Sequence, residues 1–158
     1  MKPLFTSRPA YIALRLIIGL LFMYAGAIKL ANPDGFAVTI NIYGLVTWRM
    51  ATALAYVIPA IEIITGLGLV LDVKGALLTV VAQLLGFMVI LLYALHIGLD
   101  ADCGCFGTPR STANAPTGPL EALFRDGLML AACAAMYWQR SKAGRTPRPI
   151  TRLFSKSA

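Results

Sequence analysis

Four stretches of this chain, 11–28, 51–71, 76–97 and 120–138, are each long and apolar enough to cross a bilayer, and they use up most of its 158 residues. A span needs about 20 mostly apolar residues. In lipid each backbone N–H and C=O must find its partner inside the structure, so each run is expected to be a helix. Composition agrees. The chain is 58% hydrophobic and 13% charged, against about 25% charged in a soluble domain. Nothing is left over for a soluble domain. The expected architecture is an all-α membrane protein, a bundle of four transmembrane helices over 1–139 followed by a basic tail over 140–158, with the lipid bilayer as its first partner.

Basic residues set the expected orientation, because Lys and Arg accumulate on the cytoplasmic side. Arg140, Lys142, Arg145, Arg148, Arg152 and Lys156 follow the last run, Lys2 and Arg8 precede the first, and Lys74 lies between the second and third. The other two loops carry Arg110, with Lys29 and Arg49 at helix ends. Both termini and the middle loop are therefore expected in the cytoplasm, and the first and third loops outside. The net charge of +7 is read as this topology signal, and no nucleic-acid partner is expected. The first run has the look of a secretory signal, with Ala25-Gly26-Ala27 as a cleavage-like site. Arg15 interrupts it and three further runs follow, so it is expected to stay as a helix.

Each run has one face of small or polar residues. Arg15, Gly19, Phe22, Gly26 and Lys29 make such a stripe in the first, and Ala55, Pro59, Glu62 and Gly66, with Thr65 beside them, in the second. Thr79, Gln83, Gly86, Ile90, Tyr93 and His96 form it in the third, and Asp126, Met129 and Cys133, beside Arg125, in the fourth. Small residues let membrane helices approach, and polar ones turn inward. A charge at mid-span costs about 2.5–3.5 kcal/mol on insertion scales, so the seam charges should pair. Glu62 is expected at mid-depth, with Arg15 reaching it from the inner side and Arg125 from the outer. Lys29 is expected to snorkel to the outer interface. This seam serves either as structural ion pairs or as a proton relay or cofactor contact.

Two loops add detail. Asn32-Pro33-Asp34-Gly35 reads as a turn, and Phe36, Ile40 and Tyr43 then follow at helical spacing. That predicts a short interfacial helix in the first outer loop, with Trp48 marking the return to the membrane surface. In the third loop, Cys103-Gly104-Cys105 places two of the chain's three cysteines one glycine apart. Alpha carbons two residues apart lie about 5.5–7 Å from each other, within reach of a disulfide, and the glycine gives freedom for closure. So small a ring would be strained and exchangeable, and an outward face is oxidising. Three readings stand: a redox-active pair, a static staple, or a thiophilic metal site drawing on His96, Asp102, Cys103 and Cys105. Cys133, in the fourth run, reads as a small buried apolar residue.

Several elements together resemble the MauE branch of the DoxX-like membrane proteins, named for methylamine utilisation. They are Arg15-Leu16-Ile17-Ile18-Gly19-Leu20-Leu21-Phe22, Ala25-Gly26-Ala27-Ile28-Lys29-Leu30, Asn32-Pro33, Pro59-Ala60-Ile61-Glu62 with Gly66-Leu67, Asp102-Cys103-Gly104-Cys105-Phe106-Gly107, and Arg125-Asp126. The resemblance spans about residues 10–138 and implies a four-helix inner-membrane protein of bacteria. It also implies a role in maturing periplasmic redox enzymes beside a thioredoxin-like partner. The reading that follows is a thiol–disulfide exchanger with Cys103 and Cys105 as its reactive pair and the direction of electron flow open; by functional analogy with other four-helix disulfide oxidases of membranes, a quinone is the candidate electron sink or source. A non-enzymatic chaperone or scaffold, and a small-solute or metal-ion carrier, are the alternatives.

Overall fold

The computed structural model describes residues 8–98 and 119–143, as helices with short connections. The helices are α1 (Arg8–Ala31), α2 (Pro33–Ile42), α3 (Trp48–Val70), α4 (Ala76–His96) and α5 (Pro119–Ala143). Among the described residues, α1, α3 and α4 are long and apolar enough to cross a membrane. The chain is a multi-pass membrane protein. α5 is equally long, at 25 residues. It is less apolar because Arg125 and Asp126 interrupt it and Tyr137, Trp138, Gln139 and Arg140 crowd its end.

The closest approach is between α1 and α3, which run antiparallel with backbone against backbone. A Cβ added at Gly66 would lie 2.6 Å from the Gly19 carbonyl oxygen. One added at Gly26 would lie 2.7 Å from the carbonyl oxygen of Pro59. Real side chains do not fit at such distances. Small residues are the usual way for membrane helices to pack, because lipid gives no hydrophobic drive to hold them together. The expected stripes on α1 and α3 are thus the faces that meet: Phe22, Gly26 and Lys29 on one, and Ala55, Pro59, Glu62, Thr65 and Gly66 on the other, are all buried.

α2 starts where a turn was expected. Asn32 caps it, its side-chain Oδ1 accepting from the Gly35 N–H at 3.0 Å. Pro33 stands in the first turn with Asp34. A capping Asn, an early proline and an acid beside the positive helix end all favour a helix start. Phe36 and Ala37 then pack against Ala55 of α3. The main core lies nearer the opposite end, where Tyr11, Ile18 and Phe22 meet Leu69, Leu77, Val80 and Leu84, and Cys133 and Met136 close it from α5.

α4 differs from its expected face. Its buried residues are Ala76, Leu77, Val80, Leu84, Leu91 and Ala94. Thr79, Gly86, Ile90, Tyr93 and His96 are exposed. α4 is apolar all round, so its weak polar marks do not indicate which side the neighbours cover. Nothing lies within 4 Å of a Cβ added at Gly86, so this glycine is no helix-contact site. Of the expected stripe only Gln83 reaches inward, its side-chain amide 2.9 Å from Thr65 Oγ1 of α3.

The two glycines offer a matched test. Gly66→Ala forces the α1 and α3 backbones apart and should cost about 1–3 kcal/mol of stability, as overpacking does. Gly86→Ala adds a methyl in open space and should leave stability unchanged or slightly raised. Melting of both variants in one detergent checks this, and equal melting temperatures would mean that α1 and α3 do not touch at Gly66.

Candidate functional site

Charges gather at two depths of the bundle. At the end formed by the start of α1, the α3–α4 turn and the end of α5, Asp72 is the hub. Its left-handed backbone (φ 59°) suits Asp better than most residues. Arg15 Nη1 lies 3.2 Å from Oδ2, and Arg140 Nη2 donates to Oδ1 at 2.7 Å. The Tyr11 hydroxyl donates to Oδ1 at 2.8 Å and accepts from Arg140 Nε at 2.8 Å. One carboxylate therefore ties α1 and α5 to the turn between α3 and α4.

The second cluster lies deeper. Lys29 Nζ donates to Glu62 Oε1 at 2.5 Å, and each side chain is only 2% exposed. The ammonium also sits 5.2 Å from the ring centre of Phe36 and 4.9 Å from that of Phe87. A desolvated cation over an aromatic face gains about 2 kcal/mol or more. On α5, Arg125 Nε lies 3.3 Å from Asp126 Oδ1. All four charged side chains line one small cavity of about 30 Å³, walled otherwise by Phe22, Leu84, Phe87 and Met129. Two cations and two carboxylates leave it neutral overall.

Two carboxylate oxygens in this cluster, Glu62 Oε2 and Asp126 Oδ2, are buried without a hydrogen-bond partner among the described residues. A buried, unsatisfied acceptor costs about 1–3 kcal/mol, and more when charged. The cavity is large enough for a water, which needs about 10–15 Å³. The arrangement can therefore hold water between two carboxylates inside an apolar bundle, and such a chain can carry protons.

The expected partners of Glu62 are corrected here. Glu62 pairs with Lys29, not with Arg15 or Arg125. The α1–α3 register explains it: Gly26 lies against Pro59 and Gly19 against Gly66, which brings Arg15 level with the turn at Asp72. In that register Glu62 lies level with residue 23, eight residues or about 12 Å along the helix from Arg15, and the Arg15 side chain reaches Asp72 instead. Lys29 does not snorkel. It is 3% exposed, held inward by the Glu62 carboxylate and two rings. Cys133 is fully buried.

Asp72 and Tyr11 were not singled out from the sequence, and Arg140 was read there only as part of the basic tail. The available signal was Asp72 itself, the one acidic residue in the segments expected on the cytoplasmic side. Cys103, Cys105 and Asp102 lie outside the described residues. His96 is exposed at the end of α4, the last described turn before them.

A family model described as Methylamine utilisation protein MauE matches residues 7–139. The chain belongs to this family. The MauE match takes in α1 to α4 whole, Cys103 and Cys105, and α5 as far as Gln139. The four charges of the deep cluster are within it, and Arg140 of the Asp72 cluster is just beyond. No curated protein and no solved structure matches the chain.

The pairing of Lys29 with Glu62 makes a specific forecast. Breaking a buried pair from one side typically costs about 3–5 kcal/mol, so Glu62→Ala and Lys29→Met should each lower the melting temperature sharply. Removing both charges, in Lys29→Met with Glu62→Leu, should restore much of the loss. A silent Lys29→Met, or a double variant no better than the worse single, would show that the two are not partners.

Proposed function

We propose that this MauE-family protein is a membrane thiol–disulfide exchanger acting in the maturation of periplasmic redox enzymes. The observation that carries the reading is Cys103-Gly104-Cys105, which follows α4 directly in the chain within the family match. One cysteine forms a mixed disulfide with a thioredoxin-like partner, and the other resolves it. As the partner's disulfide forms or breaks, two electrons and two protons pass from the dithiol of one protein to the disulfide of the other.

The reading includes a topology. α5 serves as a fourth span, its charged pair Arg125–Asp126 turned to the bundle interior as intramembrane charges usually are. Both termini and the basic tail face the cytoplasm of a bacterial inner membrane, and the cysteine segment faces the periplasm. The basic residues at the helix ends support this orientation. The deep cluster of Lys29, Glu62, Arg125 and Asp126 serves as a proton path beside the exchange chemistry. Its buried, unpartnered carboxylate oxygens support that role.

Trapping tests the exchange step. Cys103→Ser or Cys105→Ser should leave an adduct with the thioredoxin-like partner, visible on a non-reducing gel and lost on reduction. The double variant should give none, and both singles should lose maturation of the periplasmic enzyme. If no adduct forms and the double variant still supports maturation, the protein is a scaffold and exchanges no electrons.

Thiol labelling tests the topology. A membrane-impermeant maleimide applied to reduced spheroplasts should modify Cys103 or Cys105 and spare the buried Cys133. Modification only after lysis would turn the orientation round.

A further inference from the structure

A second cavity lies beneath α2, between α3 and α4, with a volume of about 140 Å³. It is lined mainly by apolar side chains, among them Phe36, Ile58, Phe87 and Leu91, and the charged side chain in its wall is Lys29. For scale, an engineered protein cavity of about 150 Å³ takes up benzene. The space therefore suits one six-membered ring.

We propose that this cavity binds the head group of a membrane quinone, with the Lys29 ammonium donating to one ring carbonyl. The proposal rests on the exchanger reading above and names the acceptor for its electrons.

Three observations support it. First, the charged group of the site is a buried donor, in a wall that also carries the hydroxyl-bearing Thr39 and Tyr43. Lys29 is 3% exposed. An ammonium has three donors, and its one hydrogen-bond partner among the described residues is Glu62. A second donor is thus available to a carbonyl. A purely hydrocarbon occupant, such as an acyl chain, would leave the ammonium with Glu62 and the Phe36 and Phe87 rings alone, whereas a carbonyl adds a charge-assisted hydrogen bond.

Second, the cavity wall reaches the surface of the bundle. Ile90 and Leu45 in its wall are 37% and 54% exposed. An isoprenoid tail can leave there for the bilayer while the ring stays inside. Pockets of this kind, apolar with a few placed polar groups, are the usual form of small-molecule sites.

Third, the site adjoins the deep charge cluster. Lys29 and Phe87 belong to the walls of both cavities, so Glu62 and Asp126 stand on the far side of the ammonium from the ring. The ring also sits toward the end of the bundle from which the chain leaves α4. Ile90 is six residues before His96, about 9 Å by helical rise.

The chemistry balances. A dithiol gives up two electrons and two protons and becomes a disulfide. The quinone takes both electrons and both protons and becomes a quinol. No further oxidant is needed. Protons reach the ring oxygen held by Lys29 from the water-sized cavity between the two carboxylates.

Photolabelling of the full chain in phosphatidylcholine nanodiscs tests the site. An arylazido derivative of decylubiquinone should label residues of α2 and α4 around the cavity, such as Ile40 and Ile90. Decylubiquinone should compete, and decylbenzene, which has the ring and tail but no carbonyls, should not. Leu54→Trp, which fills the cavity from α3 away from the charges, should reduce labelling at least about tenfold, with its melting temperature confirming that it folds. Cys103→Ser with Cys105→Ser should label as well as the unaltered protein. Failed partner trapping with intact labelling would reject the exchanger and keep the site, and trapping without labelling would do the reverse. Equal competition by decylbenzene, or labelling no stronger at the cavity than at lipid-facing Leu78, overturns the proposal.

Discussion

The contact of the α1 and α3 backbones at Gly19, Gly26 and Gly66 fixes which charges can meet, and the chemistry of the molecule follows from it. Two antiparallel helices this close have little freedom to slide. Their register delivers Lys29 to Glu62 at depth and Arg15 to Asp72 at the end of the bundle. Each pairing neutralises a charge that lipid would penalise. Effective desolvation in proteins costs several kcal/mol per ion, so an alternative register with these four charges unpaired is strongly disfavoured. The same contact frees the other side of Lys29 to face α2 and α4, where Phe36 and Phe87 flank it.

Much of this was legible in the residues. The apolar runs gave helices near 11–28, 51–71, 76–97 and 120–138, and α1, α3, α4 and α5 cover them. The stripes on α1, α3 and α5 were legible because glycine, proline and charge stand out against leucine and isoleucine. The face of α4 was not, since a helix apolar on all sides carries no contrast to read. Ion-pair partners were not legible either. A span places a charge at a rough depth, and an error of about two turns in relative register, some 11 Å, is enough to exchange Arg15 for Lys29 as the partner of Glu62. Tyr11, Asp72 and Arg140 meet from three distant parts of the chain, which only the closed bundle brings together.

The two charge clusters divide the labour of the fold. In the Asp72 cluster both carboxylate oxygens are engaged, by two arginines and a tyrosine, and the cluster suits a fastening at the bundle's end. The deep cluster keeps Glu62 Oε2 and Asp126 Oδ2 unsatisfied beside a water-sized space. Proteins tolerate such a cost chiefly where polar groups have work to do, and intramembrane carboxylates commonly mark proton paths. In the proposed exchanger, the apolar cavity on the other side of Lys29 would give that path a destination, and Cys103 and Cys105 would supply the electrons.

The oxidation state of Cys103 and Cys105 in native membranes tests the account most directly. Isolated, aerated membranes are alkylated before and after reduction, and the peptide carrying both cysteines is weighed. The account predicts a pair that resists alkylation until a reductant is added, with the unreduced peptide lighter by two hydrogens. Cysteines that alkylate fully in the same membranes without any reductant would contradict it.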